Sequence, residues 1–183
     1  MPVSMKAVLP LRITTHRLVL RRPTPSDAQA IFQTYTEDPV VSRYMIWTPH
    51  AALAETEGFI ESCIRAWEAG ERLASAITLA GADAAIGMIE ARLAGRTVDI
   101  GYVLAPRLWG RGLMPEAIEA LALAALAGPG MYRVQASCDI DNRPSQRALE
   151  KAGFLREGRL ERYTVHPNLS PEPRPCFMYA RCR

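Results

Sequence analysis

Residues 107–112 read Arg-Leu-Trp-Gly-Arg-Gly, and this R-x-x-G-x-G run stands directly before a segment of strong helix formers. Gly110 and Gly112, two apart, let the backbone turn tightly and bring amide N–H groups to an anion, and the start of the helix adds positive potential at the same point. Arg107 and Arg111 add charge that can hold phosphate oxygens bidentately. The chemistry that suits such a run is a pyrophosphate cradle; the same residues would also serve a strand-to-helix turn that binds nothing. The run is neither a Rossmann fingerprint, which needs its glycine loop inside a βαβ unit with an acid about 20 residues on, nor a P-loop, which needs Gly-Lys-Ser/Thr. A second group, Asn142 and Ser145, offers an amide and a hydroxyl three residues apart at the start of another helical segment, where both could equally act as caps. No metal site is expected, because Cys63, Cys138, Cys176 and Cys182 form no C-x-x-C pair and His16, His50 and His166 are scattered.

The composition sits near the average for soluble globular domains: 183 residues, 49% apolar, 22% charged and 7% aromatic. That excludes a disordered tail, a fibrous repeat and a disulfide scaffold, and a chain of this length needs no metal or cystine staple to hold a core. Of the 22 basic residues only Lys6 and Lys151 are lysines, set against 19 acids, for a net charge of +3. With Arg21-Arg22 as the sole basic doublet, this balance suits a phosphorylated ligand and does not argue for nucleic acid. The opening MPVSMKAVLPL lacks the apolar core and cleavage site of a secretory signal, so the cysteines read as reduced packing residues and the compartment as cytoplasmic. The longest apolar run, residues 120–127, falls far short of the roughly 18 residues a spanning helix needs, so no membrane segment is expected.

The elements that must position these residues follow from periodicity and punctuation. Residues 15–22 alternate around Leu18 and Leu20 as a strand that stops at Pro23. Thr24, Pro25 and Asp27 then open a helix in which Ala28, Ile31, Phe32 and Tyr35 recur at helical spacing. Residues 38–50 read as an irregular loop with at most one short turn. From residue 51 a second helix buries Leu53, Phe59, Ile60, Ile64 and Trp67 and stops at Gly70. Strands over 73–80, 85–93 and 97–104 form an antiparallel meander, and 113–127 is a helix buried on most sides, with Pro115 in its first turn. A strand over 132–138, a helix over 144–152, a long strand over 154–165 and a closing strand over 176–181 complete the chain, with residues 167–175 as a fixed, proline-rich extended loop. The order βαα, βββ, α, β, α, ββ predicts an α+β (mixed α/β) fold: a central mixed, largely antiparallel sheet of about seven strands flanked by four helices. One domain spans 1–183, with residues 1–11 as a loose arm.

The R-x-x-G-x-G run, with Ile100-Gly101-Tyr102-Val103-Leu104 leading in, Trp109-Gly110-Arg111-Gly112-Leu113 forming the turn and Glu116-Ala117 in the helix, resembles the phosphate-binding motif [QR]-x-x-G-x-[GA] of the GNAT superfamily of acyl-CoA-dependent N-acyltransferases. Asn142-Arg-Pro-Ser145 with Leu149-Glu150-Lys151-Ala152-Gly153-Phe154 is similar to the family's second cofactor-contacting helix, and the match runs from about Thr15 to the end. Within the superfamily, Ser42-Arg-Tyr44, Trp47-x-Pro49-His50 and the W-G-x-G loop are similar to the branch that acetylates ribosomal-protein N-termini.

The resemblance implies a single GNAT-like domain whose fourth and fifth strands splay to admit the pantetheine arm. It implies acetyl-CoA as cofactor, coenzyme A as product and no metal, with Val103, Leu104, Arg107, Trp109, Gly110, Arg111, Gly112, Leu113, Asn142 and Ser145 on the cofactor. Transfer to a primary amine is then direct: the amine attacks the thioester in a ternary complex, and the carbonyl faces a backbone N–H at Val103 or Leu104. Many relatives place a tyrosine where this chain has Leu149; Ser145 is the hydroxyl the N-terminal branch offers to the leaving thiolate instead. Asp99 and Glu90 are the carboxylates that strand order offers as general base, and Tyr44, Trp47 and Tyr102, with the loop at 166–175, are expected to wall the acceptor. The acceptor reads as a peptide or protein N-terminus or a small-molecule amine, bound by a monomer or homodimer. A non-catalytic acyl-CoA-binding module stands as the alternative, and an acetyltransferase working on charged tRNA would draw on the arginines.

Overall fold

The computed structural model describes residues 9–183. Of the arm expected over residues 1–11, residues 1–8 lie outside these; Leu9 is buried in the core. Two short strands open the described chain, β1 (Arg12–Thr14) and β2 (Leu18–Arg21), followed by α1 (Asp27–Ile31), which runs on into a π-turn (Phe32–Thr36). After α2 (Pro39–Ser42) and α3 (Leu53–Ala69) come β3 (Arg72–Leu79), β4 (Ala85–Ala94) and β5 (Thr97–Leu104). A 3-10 turn (Pro106–Leu108) leads to α4 (Leu113–Ala127), then β6 (Arg133–Asp139), α5 (Arg143–Lys151), β7 (Leu155–Thr164) and β8 (Arg174–Cys182).

The eight strands form one sheet in the order β1-β2-β3-β4-β5-β6-β8-β7. Every neighbouring pair is antiparallel except β5 and β6. The strand beyond the expected seven is β1, whose three residues are too few to show alternation. Within 38–50 the structure forms α2, where the Asp38 side chain accepts from the Val40 N–H and Pro39 takes the first helical position, an arrangement that needs no long apolar stripe.

Hydrophobic packing divides over the two faces of the sheet. On one face α4 buries Leu113, Met114, Ala117, Ile118, Leu121, Ala122, Ala125 and Leu126 against Ile89, Val98, Ile100, Val134 and Ala136. Its many alanines bring the helix axis close to the strands while still excluding water. On the other face Ala28, Ile31 and Tyr35 of the first helical segment and Ile60 and Cys63 of α3 pack on Ala74, Ala76 and Met88.

The feature that positions the site lies in the middle of the sheet. β5 and β6 pair only through Thr97–Arg133, Val98–Val134 and Asp99–Gln135, after which β5 runs on to Leu104 and β6 to Asp139 without pairing to each other. The splay expected between these strands is therefore present. β4 closes the other side of β5: Gly87 faces Leu104, and a Cβ there would strike the Val103 carbonyl oxygen, so glycine keeps the two strands in contact beside the gap.

Candidate active site

A cleft of about 670 Å³ opens where β5 and β6 part. Tyr102, Val103 and Leu104 come to it from β5; Trp109, Gly110 and Gly112 from the glycine loop; and Leu113, Met114 and Pro115 from the start of α4. Asn142, Ser145, Arg147 and Lys151 face it from the α5 side, and Val41, Arg43, Tyr44 and Met45 close it from the end of α2. Ten of the residues picked out by sequence thus share one wall or another of a single cleft.

The loop that enters α4 is built to leave amides free. Gly110 and Gly112 sit at φ 76° and 74°, in the left-handed region that favours glycine. The Trp109 indole Nε1 donates to the Leu104 carbonyl at 2.7 Å, fixing the loop to the end of β5. Gly112 is the N-cap of α4 and no side chain caps that terminus; with Pro115 carrying no N–H, the first-turn amides of Leu113 and Met114, residues that line the cleft, have no intrahelical acceptor. An uncapped helix start of this kind fits a pyrophosphate, which supplies the missing acceptors and meets the positive end of the helix. Arg107 and Arg111 flank the loop and do not line the cleft; the cations that do are Arg43, Arg147 and Lys151. Sequence reasoning missed the last two, although Arg143, Arg147 and Lys151 recur every four residues and so share one face of α5.

At the inner end of the cleft Tyr102 Oη and Ser145 Oγ lie 2.7 Å apart. Burial raises the Tyr102 phenol well above its ordinary value, outweighing the hydrogen bond with Ser145, so it stays protonated through neutral pH. The Cys138 thiol of β6, beside Ser145, is pushed up to about 12 by burial despite that hydroxyl, and stays a thiol. Asn142 Oδ1 accepts from the Ser145 N–H at 3.3 Å, so Asn142 is the N-cap of α5 while also lining the cleft.

The structure does not bring Glu90 or Asp99 to the cleft. Glu90 is held by Arg72 at 2.5 Å and Arg92 at 2.6 Å, and Asp99 by Arg92 at 2.5 Å, with Gln135 at 3.5 Å. The register that pairs Glu90 with Gly101 and Arg92 with Asp99 sets these charges on the α3 side of the sheet, where they neutralise one another. Among the described residues lining the cleft, Asp141 carries the one carboxylate, bonded to Arg174 at 2.8 Å. Its position directly before Asn142 was the available signal.

On the acceptor side Tyr44 donates to the Asp141 carbonyl at 3.4 Å and meets the His166 ring edge-on. Trp47 does not line the cleft; its ring lies tilted against that of His50, with centroids 5.7 Å apart. Its carbonyl and that of Ser42 accept from Asn168 Nδ2 at 2.8 and 2.6 Å, which ties the α2 end to the proline-rich loop. That loop is anchored by Asp139, fully buried and bonded to Arg174 Nε at 2.6 Å and to the Asp141 N–H at 2.9 Å.

A family model described as an acetyltransferase (GNAT) domain matches residues 17–155. Among curated proteins the chain is similar to the uncharacterized N-acetyltransferase YoaA of Bacillus subtilis (strain 168), with 29% identity over 162 residues, 87% of this chain and 90% of that one. An acetyltransferase (GNAT family) from Bacillus anthracis superposes with a TM-score of 0.82 at 25% identity over 93% of this chain and 98% of that one. RimL, a ribosomal L7/L12 alpha-N-protein acetyltransferase solved with coenzyme A, superposes at 0.81 with 21% identity over 93% and 97%. No helix among the described residues is long and apolar enough to cross a membrane.

Proposed function

Because the chain belongs to the GNAT family of acetyltransferases, we propose that it moves an acetyl group from acetyl-CoA to the α-amine of a peptide or protein N-terminus, by direct attack with both substrates in the cleft. The observation that carries this reading is the continuity of one cleft from the uncapped start of α4 to the Tyr102–Ser145 hydroxyl pair. Gly110, Gly112, Leu113 and Met114 would hold the pyrophosphate, with Arg147 and Lys151 adding charge beside it. Bound acetyl-CoA supplies the acetyl thioester and a thiolate leaving group.

The chain's own groups divide the remaining work. Ala105 N–H donates to the Ile86 carbonyl at 2.9 Å, and alternation along an antiparallel ladder then turns the Leu104 N–H away from β4 and into the gap. Of Val103 and Leu104, it is Leu104 that suits a donor to a carbonyl oxygen gaining charge. Tyr102, kept protonated, donates to Ser145 Oγ, which frees the Ser145 proton for the departing sulfur. Ser145→Ala is expected to lower kcat by about 100-fold while leaving the Kd for coenzyme A within about twofold. Equal rates for the two proteins would move the acid elsewhere.

The choice of acceptor rests on the scarcity of bases. Glu90 and Asp99 are spent on arginines, and an α-amine with a pKa near 8 is already partly neutral at pH 7, whereas a lysine near 10.4 is not. In a thiol-release assay dipeptides with a free N-terminus are expected to react and polyamines and Nα-blocked lysine peptides to stay inert. The pH profile of kcat/KM should rise to a plateau with the acceptor's own pKa near 8. Turnover of the blocked lysine peptides, or a profile set by an enzyme group near 6 to 7, would overturn the α-amine reading. Coenzyme A binding without turnover of any amine would favour a non-catalytic module.

A further inference from the structure

Arg17 stands in the turn between β1 and β2, yet its guanidinium reaches the glycine loop from behind. Nη1 donates to the Arg111 carbonyl at 3.0 Å and Nη2 to the Gly112 carbonyl at 3.2 Å. Its Nε donates to Glu116 Oε2 at 2.7 Å, and Glu116 Oε1 accepts from the Arg17 N–H at 3.0 Å and from Thr15 Oγ1 at 2.6 Å. Arg17 does not line the cleft, whereas Gly112 and Leu113 do.

A trans peptide unit is planar, with its C=O and N–H pointing in opposite directions. Holding the Arg111 carbonyl on the Arg17 side therefore turns the Gly112 N–H to the other side, and holding the Gly112 carbonyl does the same for the Leu113 N–H. Gly112 at left-handed φ would otherwise let the Arg111–Gly112 peptide unit rotate at little cost, while the Gly112 carbonyl is held a second time by the Glu116 N–H at 3.4 Å. The pairing with Arg17 also neutralises Glu116, a carboxylate in the first turn of α4 that would repel an anion there.

We propose that Arg17 is a positioning residue for phosphate recognition: by clamping the Arg111 and Gly112 carbonyls it aims the Gly112 and Leu113 amides at the cofactor's pyrophosphate. The inference rests on the assignment of this loop to the pyrophosphate made above. Its mark is selectivity for the part of the donor that carries phosphate, which a purely structural contact between the β1–β2 turn and α4 would not have.

The test compares acetyl-CoA with S-acetylpantetheine, which has the same thioester and arm and no pyrophosphate. With Arg17→Ala, kcat/KM for acetyl-CoA should fall about 10- to 100-fold, mostly through KM, as expected for losing aimed, charge-assisted hydrogen bonds. The value for S-acetylpantetheine should stay within about twofold, and calorimetry should show the Kd for coenzyme A rising in step with KM. Glu116→Gln, which keeps Arg17 and loosens its hold, should give a smaller loss of the same kind and serves if the alanine variant does not fold. Equal losses with both donors, or no loss with either, would overturn the clamp. If the unmodified protein fails to bind coenzyme A, the loop assignment itself falls and the clamp with it; if it binds and the variants do not discriminate, only the clamp falls.

Discussion

Gly110→Asp is expected to weaken acetyl-CoA binding by about 100-fold or more, the larger of two effects this residue can show. A Cβ at Gly110 would meet nothing within 4 Å, and the residue lines the cleft, so a carboxylate there stands in the space offered to the pyrophosphate. Two like charges at contact distance in a partly desolvated site oppose each other by several kcal/mol. Gly110→Ala separates this repulsion from backbone strain: at φ 76° an alanine costs about 1 kcal/mol, so its Kd should rise by less than about tenfold. Isothermal titration of the three proteins with coenzyme A measures both terms, and an aspartate variant that binds as well as the alanine variant would remove the loop from the phosphate site. The second glycine is not equivalent. A Cβ at Gly112 would point to Arg17 Nη2 at 3.6 Å, so a side chain there acts on the clamp before it acts on the ligand.

Asp139→Ala should be the most destabilising single change around the cleft. The carboxylate is fully buried at the end of β6, and Arg174, His166 and the Asp141 N–H all converge on it. Burial, the largest single influence, would raise its pKa; the Arg174 hydrogen bonds, the Asp141 N–H and the Arg174 charge together outweigh it and hold the carboxyl below the ordinary carboxylate range. Removing it strands an arginine that keeps partial exposure and its bond to Asp141, so about 3 kcal/mol is expected, the lower end for breaking a buried pair. For a chain of this size that is a fall in Tm of roughly 6–12 °C, read by calorimetry; a fall under about 2 °C would contradict it. Because the folded pKa is depressed, the contribution is complete above about pH 4 and is lost as pH falls through the folded value. Asp27, buried against Arg21 and likewise depressed, acts in the same window, so Asp139→Asn should flatten the acid limb of a urea-midpoint profile without abolishing it.

What could be read from the residue order divides along physical lines. Elements with many apolar repeats, such as the helix at 113–127 and the meander from 73 to 104, declare themselves because burial is written in their period. β1 and α2 have three and four residues and owe their form to pairing with β2 and to the Asp38 cap, so their own composition carries little. In the site, Gly110, Gly112, Asn142 and Ser145 were legible because a tight turn and a helix start demand those types. Glu90 and Asp99 show what was not: whether a strand carboxylate faces a cleft or an arginine depends on register with Arg72 and Arg92. Arg17 lies 94 positions from the carbonyl it grips, a distance no local pattern spans.

The three-residue ladder between β5 and β6 has a mechanical meaning. A sheet stitched across its middle for so short a length behaves as two stiff plates joined at one edge, and the plates are braced by α4 on one side rather than by the stitch itself. Small changes in the angle between them would widen or narrow the gap along its whole length while costing few hydrogen bonds. The fold thus puts its least-stitched line where β5 and β6 part, beside the cleft.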